Sequence, residues 1–222
     1  VYNLAKIQQF YLDILKLPKE KLRFKELDKE EKAFYNKIHW DVELNLESLG
    51  GFKEVGGLHY RTGHDLEGHT KVSKQDLSVN IEGKKFVPHV LELSFGVDRN
   101  IYALLDLGYV DEHVKNQKRI VLRLPDVVAP FTVAVFPLVN KDMLPEKARE
   151  VKKILQTAGI TVFYDESGSI GRRYRRMDET GTPFCITIDY DSLKNNDVTL
   201  RNRDTMEQVR VRIDDLVDEL KK

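Results

Sequence analysis

The sequence has only one cysteine, Cys185, among its 222 residues, which excludes a disulfide framework and a zinc site built from several cysteines. No apolar run approaches the roughly 20 residues that a membrane-spanning helix needs. The first residues, Val1-Tyr2-Asn3, lack the basic start and apolar core of a secretory signal. We therefore expect a cytoplasmic protein without membrane contact. Because the chain does not begin with Met, we also expect it to be part of a longer protein.

Net charge is absent too, since 36 Lys and Arg residues balance 36 Asp and Glu residues. This balance argues against a broadly cationic nucleic-acid coat protein but allows a local basic patch. Apolar residues make up 41% of the chain, which is enough for a packed core. Acidic and basic residues are not balanced locally in one segment, Gly171-Arg-Arg-Tyr-Arg-Arg176, which has four arginines around one tyrosine. This run is a candidate binding surface.

Two prolines, Pro125 and Pro130, follow a complete predicted set of strands and helices and indicate a domain boundary. Residues 1–125 predict an antiparallel α+β domain. Residues 126–222 alternate strand and helix in the order βαβαββα, which predicts a three-layer α/β domain with at least partly parallel strands.

Two acidic capping boxes predict the starts of helices. Asp28 with Glu31 predicts a short helix through Phe34. Asp204 with Glu207 predicts the last helix. Its expected buried stripe consists of Val209, Ile213, Leu216 and Leu220.

A carboxylate and a hydroxyl share one face of a predicted strand just before a predicted helix. Alternation places Glu92 and Ser94 on the same side of the strand, and Gly96 ends it. Arg99 then falls in the first turn of the helix, away from the apolar stripe. An arginine beside exposed helix amides favours a phosphate ligand, and the alternative is an ordinary ion pair between Arg99 and a neighbouring acid.

Glu54 is a second candidate, on a predicted strand whose following glycines let a ligand approach the backbone. Its carboxylate suits Mg²⁺, a hard cation that prefers oxygen ligands and shared phosphates. His59, His64 and His69 recur every five residues, a spacing that matches neither a helix face nor a strand face. We therefore expect no zinc.

The arginine run around Tyr174 begins a predicted helix of the second domain. Guanidinium groups beside an aromatic ring are typical of surfaces that contact single-stranded RNA, and an ordinary solvated helix face is the alternative. The glycines before the run are reminiscent of a P-loop, but no Gly-Lys-Ser/Thr follows them. Arg201 and Arg203, after the last predicted strand, are further candidates for contacts to RNA bases.

The segment Pro88-His-Val-Leu-Glu92-Leu-Ser94-Phe-Gly96-Val-Asp-Arg99 resembles motif 3 of class II aminoacyl-tRNA synthetases. Its Glu-x-Ser form resembles the homodimeric glycyl-tRNA synthetases in particular. The stretch from Glu54 to His69 is similar to the segment upstream of motif 3 in that family. Further segments resemble its anticodon-binding domain: Val128-Ala-Pro130, residues 165–178, Gly181-Thr-Pro-Phe184, Thr187-Ile-Asp-Tyr190 and residues 201–208.

The resemblance implies that residues 1–125 are the later part of an antiparallel class II catalytic core and residues 126–222 an α/β three-layer anticodon-binding domain. It implies glycine, tRNA(Gly) and ATP with Mg²⁺ as ligands. Glu92 and Ser94 would contact glycine, the carboxylate pairing with its ammonium group. Among catalytic residues, Arg99 would stack on adenine and pair with the terminal phosphate of ATP, and Arg61 would reach ATP or the glycyl-adenylate.

Glu54 would bind Mg²⁺–ATP or face the substrate, and the resemblance does not separate these roles. In the second domain, the family roles extend to a set of basic and aromatic residues. Those expected to contact the anticodon are Arg172, Arg173, Tyr174, Arg176, Arg201 and Arg203.

No segment resembles motif 1, the dimer segment of the family, or motif 2, whose arginine holds the ATP α-phosphate and the substrate carboxylate. We therefore expect the carboxyl-terminal half of a glycine–tRNA ligase, inactive alone and completed in a homodimer or by an amino-terminal segment with motifs 1 and 2. The alternatives are a non-catalytic synthetase-like paralogue or accessory subunit that binds nucleic acid, and a dimerisation or scaffold module.

Overall fold

A computed structural model describes residues 1–114 and 116–221 of the chain, which divides into two compact units, Val1–Leu107 and Gly108–Lys222. The division falls before a hairpin that the sequence assigned to the first domain. The hairpin belongs to the second unit because its Arg119 side chain is hydrogen-bonded to Asp178. The assignment of residues 1–125 and 126–222 to two family domains stays a prediction.

The first unit is built on an antiparallel sheet, as the sequence predicted. Its main strands are β1 (Leu22–Glu26), β2 (Ile38–Leu46), β3 (Gly51–Thr62) and β6 (Val90–Phe95), hydrogen-bonded in that order. A small hairpin, β4 (Val79–Ile81) and β5 (Lys84–Phe86), precedes β6. The helices are α1 (Tyr2–Gln9), α2 (His64–Ser73) and α3 (Val97–Gly108).

The core of this unit lies on one face of the sheet. Alternate residues of β2, which are Val42, Leu44 and Leu46, pack with Ile7 and Tyr11 from the first helical segment. Since side chains alternate across a strand, the residues between them point to the opposite face. That second face is therefore free to carry polar groups.

One local prediction in this unit was wrong, and one helix was missed. Residues 28–34 form turns rather than a helix, because the Asp28 carboxylate accepts the amides of Glu30 and Glu31 while no apolar face follows to hold a helix. Phe34 is 89% exposed. The helix α2 was not predicted, because its ten residues include no buried side chain and so no apolar period.

The second unit contains a five-stranded sheet and a separate hairpin, β7 (Tyr109–Val114) with β8 (Gln117–Leu122). The strands of the sheet are β9 (Val133–Pro137), β10 (Val162–Tyr164), β11 (Phe184–Ile188), β12 (Asp197–Asn202) and β13 (Gln208–Arg212). Their order is β10-β9-β11-β12-β13, with the first three parallel and the others antiparallel. The helices are α4 (Leu144–Thr157), α5 (Ile170–Thr180), α6 (Tyr190–Asn195) and α7 (Leu216–Glu219).

This unit has three layers, as predicted. Val133 and Val135 of β9 pack against α4, whereas Ala134 and Phe136 pack against Met177 of α5. Consecutive residues of one strand point to opposite faces, so α4 and α5 cover opposite faces of the sheet. Cys185 of β11 is buried beside these residues, under α5.

The predicted last helix from Asp204 was wrong. Residues 208–212 alternate as Gln-Val-Arg-Val-Arg and pair with β12 as strand β13, because the edge of β12 offers hydrogen bonds that an isolated helix start does not. Of the expected helical stripe, Ile213 and Leu216 are buried, but Val209 is 55% exposed.

Candidate functional site

The polar face of the first sheet carries the residues predicted to bind glycine. In the β3–β6 register, His59 lies opposite Glu92 and Gly57 lies opposite Ser94. Directly opposed residues of an antiparallel pair share a face. Glu92 and Ser94 therefore lie on the face turned away from the apolar core, and they are the more buried positions of β6.

Arg61 joins this face to the start of α2. Its guanidinium donates from Nη1 to Glu92 over 2.5 Å and from Nη2 to Asp65 over 2.7 Å. It also lies over the ring of Tyr35, 4.5 Å from the centroid. The strand carboxylate thus has the cationic partner that its position demands, and the fork of Arg61 is held rigidly between two carboxylates.

Arg99 and Glu54, both predicted to bind ATP, also meet. Arg99 Nη1 lies 2.8 Å from a Glu54 carboxylate oxygen and 3.1 Å from the Glu54 carbonyl oxygen. The two side chains are about half exposed and line a cleft of about 540 Å³ together with Lys53 and Tyr102. An ion pair so exposed contributes little to stability, which leaves the arginine available to a ligand.

Carboxylates accumulate where β2 and β3 run side by side. Asp41, Glu43 and Glu54 share the polar face, and Glu43 is paired with Arg23. Burial raises the pKa of Asp41, and the charge of Glu54 raises this pKa further. Surplus negative charge around Glu54 fits a hard cation shared with phosphates.

The predicted arginine run on α5 does not form one surface. Arg172 is exposed, and Arg176 pairs with Asp165 at the end of β10. Tyr174 is half-buried, and its hydroxyl lies 2.6 Å from the Thr187 hydroxyl. Side chains three and four apart share a helix face, so consecutive arginines separate into an outer and an inner group.

Arg173 belongs to the inner group, with only 2% of its surface exposed. Its guanidinium donates to the carbonyl oxygens of Pro137, Leu138 and Asp165, where β9 and β10 end. Burial lowers the pKa of Arg173. These contacts tie α5 to the sheet, so the structure does not present Arg173 to RNA.

Asp178 is the centre of a buried charge network. Its carboxylate, with no exposed surface, accepts from Arg119 over 3.0 Å, from Arg201 over 2.9 Å and from Arg175 over 3.2 Å. Arg201 also lies over the ring of Tyr174, 4.9 Å from the centroid. This network connects the β7–β8 hairpin, α5 and β12 within the second unit.

Arg203 is likewise a structural residue. It is 4% exposed and donates to the carbonyl oxygens of Leu124 and Gly181 and to the carboxylate of Asp204. Its position after β12 had favoured base contacts. The buried guanidinium instead satisfies carbonyl groups that would otherwise lack donors.

The remaining predicted residues converge on a single cleft of about 710 Å³. The predicted residues that line it are Arg172, Tyr174, Arg176 and Arg201. Arg175, a member of the predicted run, lines it too, as do Gln117 from the β7–β8 hairpin and Gln208 from β13, which the sequence had not indicated. Guanidinium groups, amides and one aromatic ring are the groups that contact unpaired bases and phosphates.

Known proteins resemble the chain over almost its whole length. Residues 132–222 match the family model described as the anticodon binding domain. Glycine–tRNA ligases of two bacteria, Borrelia hermsii and Caldanaerobacter subterraneus subsp. tengcongensis, are each 44% identical over 93% of this chain. That of Treponema denticola is 43% identical over 90% of this chain.

The chain is similar to one part of the glycyl-tRNA synthetases. It spans about half the length of the curated relatives it matches, covering 47%, 45% and 46% of these three proteins. The anticodon-binding match lies within the second compact unit and within the residues predicted for that domain.

Several residues around the two candidate sites were not predicted. Asp65 was seen only as part of a motif, although its i, i+4 spacing to Arg61 was a usable signal. Asn36 and Arg119 carried no signal, because the contact of Asn36 with His59 and that of Arg119 with Asp178 each span more than twenty residues of sequence. Asp178 entered the sequence analysis only as the end of the segment 165–178.

Two features are absent from the described parts of the chain. Among residues 1–114 and 116–221, no helix is both long and apolar enough to cross a membrane. In the same two ranges, no three His, Cys, Asp or Glu side chains are grouped closely enough to hold a metal ion by themselves. Mg²⁺ bound through nucleotide phosphates needs only one or two protein carboxylates, so Glu54 stays a prediction.

Proposed function

We propose that this chain supplies motif 3 and the anticodon-binding part of a glycine–tRNA ligase, which forms glycyl-adenylate from glycine and ATP and transfers glycine to tRNA(Gly). The observation that carries the proposal is the 44% identity to glycine–tRNA ligases over 93% of the chain. The arrangement of Glu92, Ser94 and Arg61 on one polar face supports it. The proposal includes a partial class II catalytic core in the first unit and a cytoplasmic location.

In the amino-acid pocket, Glu92 would pair with the ammonium group of glycine and Ser94 would hydrogen-bond to the substrate. Arg61 holds Glu92 in place and would reach the phosphate of ATP or of the adenylate. A carboxylate that is already fixed by a guanidinium fork loses little side-chain entropy on binding. This preorganisation would favour the correct pose of a very small substrate.

In the nucleotide pocket, Arg99 would exchange its exposed partner Glu54 for the terminal phosphate and the adenine ring of ATP. Glu54 would then be free to hold Mg²⁺. When bound, Mg²⁺ neutralises phosphate charge as it shifts during adenylate formation. The guanidinium of Arg99 would stabilise the same developing charge.

Glycine-dependent ATP–pyrophosphate exchange tests the proposal. The chain should be assayed alone and together with an amino-terminal segment of a glycine–tRNA ligase that carries motifs 1 and 2. We expect no exchange from the chain alone, because the motif 2 arginine is needed, and exchange from the complemented protein. A complemented protein that binds tRNA but does not support exchange would contradict ligase activity. That result would favour a non-catalytic nucleic-acid-binding protein.

The cleft beside α5 makes a separate prediction about tRNA. Replacing Arg172 by alanine should weaken tRNA(Gly) binding and lower the slope of log affinity against log salt by about one, because one phosphate contact is lost. Filter binding between about 50 and 200 mM salt measures this slope. Lys153→Ala is the matched control, since Lys153 is an exposed cation on α4, across the sheet. Equal slopes for both variants would show that Arg172 does not contact tRNA.

A further inference from the structure

Ser94 has a hydrogen-bond partner that no role in the proposed reaction yet accounts for. His59 Nε2 lies 3.3 Å from Ser94 Oγ, although His59 is directly opposite Glu92 in the strand register. The imidazole of His59 therefore leans back along β3 toward Gly57, the residue that lies opposite Ser94. A serine hydroxyl in a pocket for glycine can donate or accept a hydrogen bond. The group that contacts the hydroxyl determines which of these two roles is left for the substrate.

Gly57 gives the imidazole its room. Gly57 lies opposite Ser94, and a Cβ atom built on it would lie 2.5 Å from His59 Nε2. Real Cβ contacts essentially never come so close, so any side chain at position 57 would displace the ring. The absence of a side chain at Gly57 is what lets His59 lie over it and reach Ser94.

A chain of polar contacts runs behind His59. Asn36, which is 5% exposed, places Nδ2 at 3.3 Å from His59 Nδ1 and at 3.5 Å from His39 Nδ1. The two imidazole rings are tilted against each other with centroids 4.0 Å apart. On the far side, His39 Nε2 lies 3.0 Å from a carboxylate oxygen of Asp41.

The carboxylate of Asp41 decides the positions of the protons. When ionised it accepts only, so its oxygen favours a proton on the neighbouring Nε2 of His39, although the two atoms are not aligned as a hydrogen bond, and Nδ1 of a neutral His39 must then accept. Asn36 consequently turns its donating amide nitrogen toward both rings. Reversing the amide would set its oxygen against the lone pair of His39 Nδ1. His59 Nδ1 also accepts from Asn36, so the proton of a neutral His59 is on Nε2, facing Ser94.

The surroundings of His59 favour its neutral form. Burial lowers the pKa of His59, and the neighbouring His39 lowers it further, outweighing the opposing effect of Glu92 and Asp41. A neutral ring carries one proton only, so the tautomer is fully specified by its partners.

We propose that Asp41, His39 and Asn36 fix His59 as the Nε2–H tautomer, and that His59 donates to Ser94 Oγ so that the serine hydroxyl directs its own proton toward the carboxylate of the bound amino acid. His59 is a positioning residue, since it acts through Ser94. This inference rests on the proposed function for the role of Ser94, whereas the tautomer itself is a property of the folded chain. It explains why a histidine occupies a pocket that needs no proton transfer.

The tautomer is measured without any activity. Nitrogen-15 NMR of the histidine rings in this chain at neutral pH should show His59 with Nε2 protonated and Nδ1 unprotonated. His59→Gln identifies the signals by their disappearance. Asn36→Asp should shift the proton of His59 toward Nδ1, because a carboxylate at position 36 accepts a hydrogen bond from that nitrogen. A wild-type His59 protonated on Nδ1, or on both nitrogens, would overturn the proposal.

The effect on substrate is measured by pyrophosphate exchange in the complemented protein. His59→Asn, too short to reach Ser94, should raise the KM for glycine about tenfold and leave the KM for ATP unchanged. His59→Gln should stay within about threefold of wild type, because its amide nitrogen replaces Nε2 as a donor. Gly57→Ala should reproduce the His59→Asn result. His113→Gln, at an exposed position of the β7–β8 hairpin, is the matched control.

A double-mutant cycle separates positioning from general structural damage. In a Ser94→Ala background, His59→Asn should cause no further rise in the glycine KM, because the hydroxyl it positions is gone. Independent, multiplying losses would refute the inference while leaving the proposed function intact. Absence of exchange in complemented wild type would instead refute the proposed function, and the NMR measurement would still decide the tautomer.

Discussion

Replacing Asp178 by alanine is expected to cost the second unit about 3–5 kcal/mol of folding free energy. The substitution leaves the guanidinium groups of Arg119 and Arg201, both nearly inaccessible to solvent, without their shared carboxylate. A buried charge that has lost its partner keeps the cost of desolvation without the compensating attraction. The same loss would free the β7–β8 hairpin, which Arg119 connects to α5.

Urea denaturation followed by two signals tests this expectation. Far-ultraviolet circular dichroism should show an earlier transition for the variant. The fluorescence of Trp40, the one tryptophan of the chain, follows the first unit and should be unaffected. Glu179→Ala is the matched control, because Glu179 is an exposed acid at the next position of the same helix. Equal midpoints for the two variants would show that the network does not stabilise the unit.

Replacing Glu92 by glutamine is expected to lower kcat/KM for glycine about 100-fold in the complemented exchange assay, or about 3 kcal/mol. Glutamine keeps the shape of the side chain but cannot offer a negative charge to the glycine ammonium group. It also weakens the fork of Arg61, which binds Glu92 and Asp65 together. The main change should be in the KM for glycine, with a smaller change in the KM for ATP.

The control for this prediction is Glu82→Gln, which removes a carboxylate from the exposed β4–β5 turn of the same unit. It should leave exchange unchanged. If the Glu92→Gln protein kept the wild-type KM for glycine, Glu92 would not be a residue that binds the substrate. Should the ATP KM rise as much as the glycine KM, the carboxylate would have a role in the nucleotide pocket instead.

Contacts between residues far apart in sequence explain why the roles of the arginines of the second unit were only partly predicted. From the sequence, Arg172, Arg173 and Arg176 are equivalent members of one run. The fold gives them separate roles, because the helix face that turns toward the sheet meets the carbonyl groups at the ends of β9 and β10. Arg173 takes those carbonyl groups, whereas Arg172 points to solvent.

The sequence by itself determined the strand alternation that puts Glu92 and Ser94 on one face, because this period follows from local backbone geometry. Motif order and spacing also indicated the similarity to glycyl-tRNA synthetases. Only the tertiary structure decided that Arg61 holds Glu92, that Asn36 lies between two histidines, and that Asp178 gathers three arginines. It also decided that residues 208–212 form a strand, since that choice depends on the free edge of β12. Charge pairs and sheet edges join residues far apart in the chain, and no local pattern records which partners the fold will bring together.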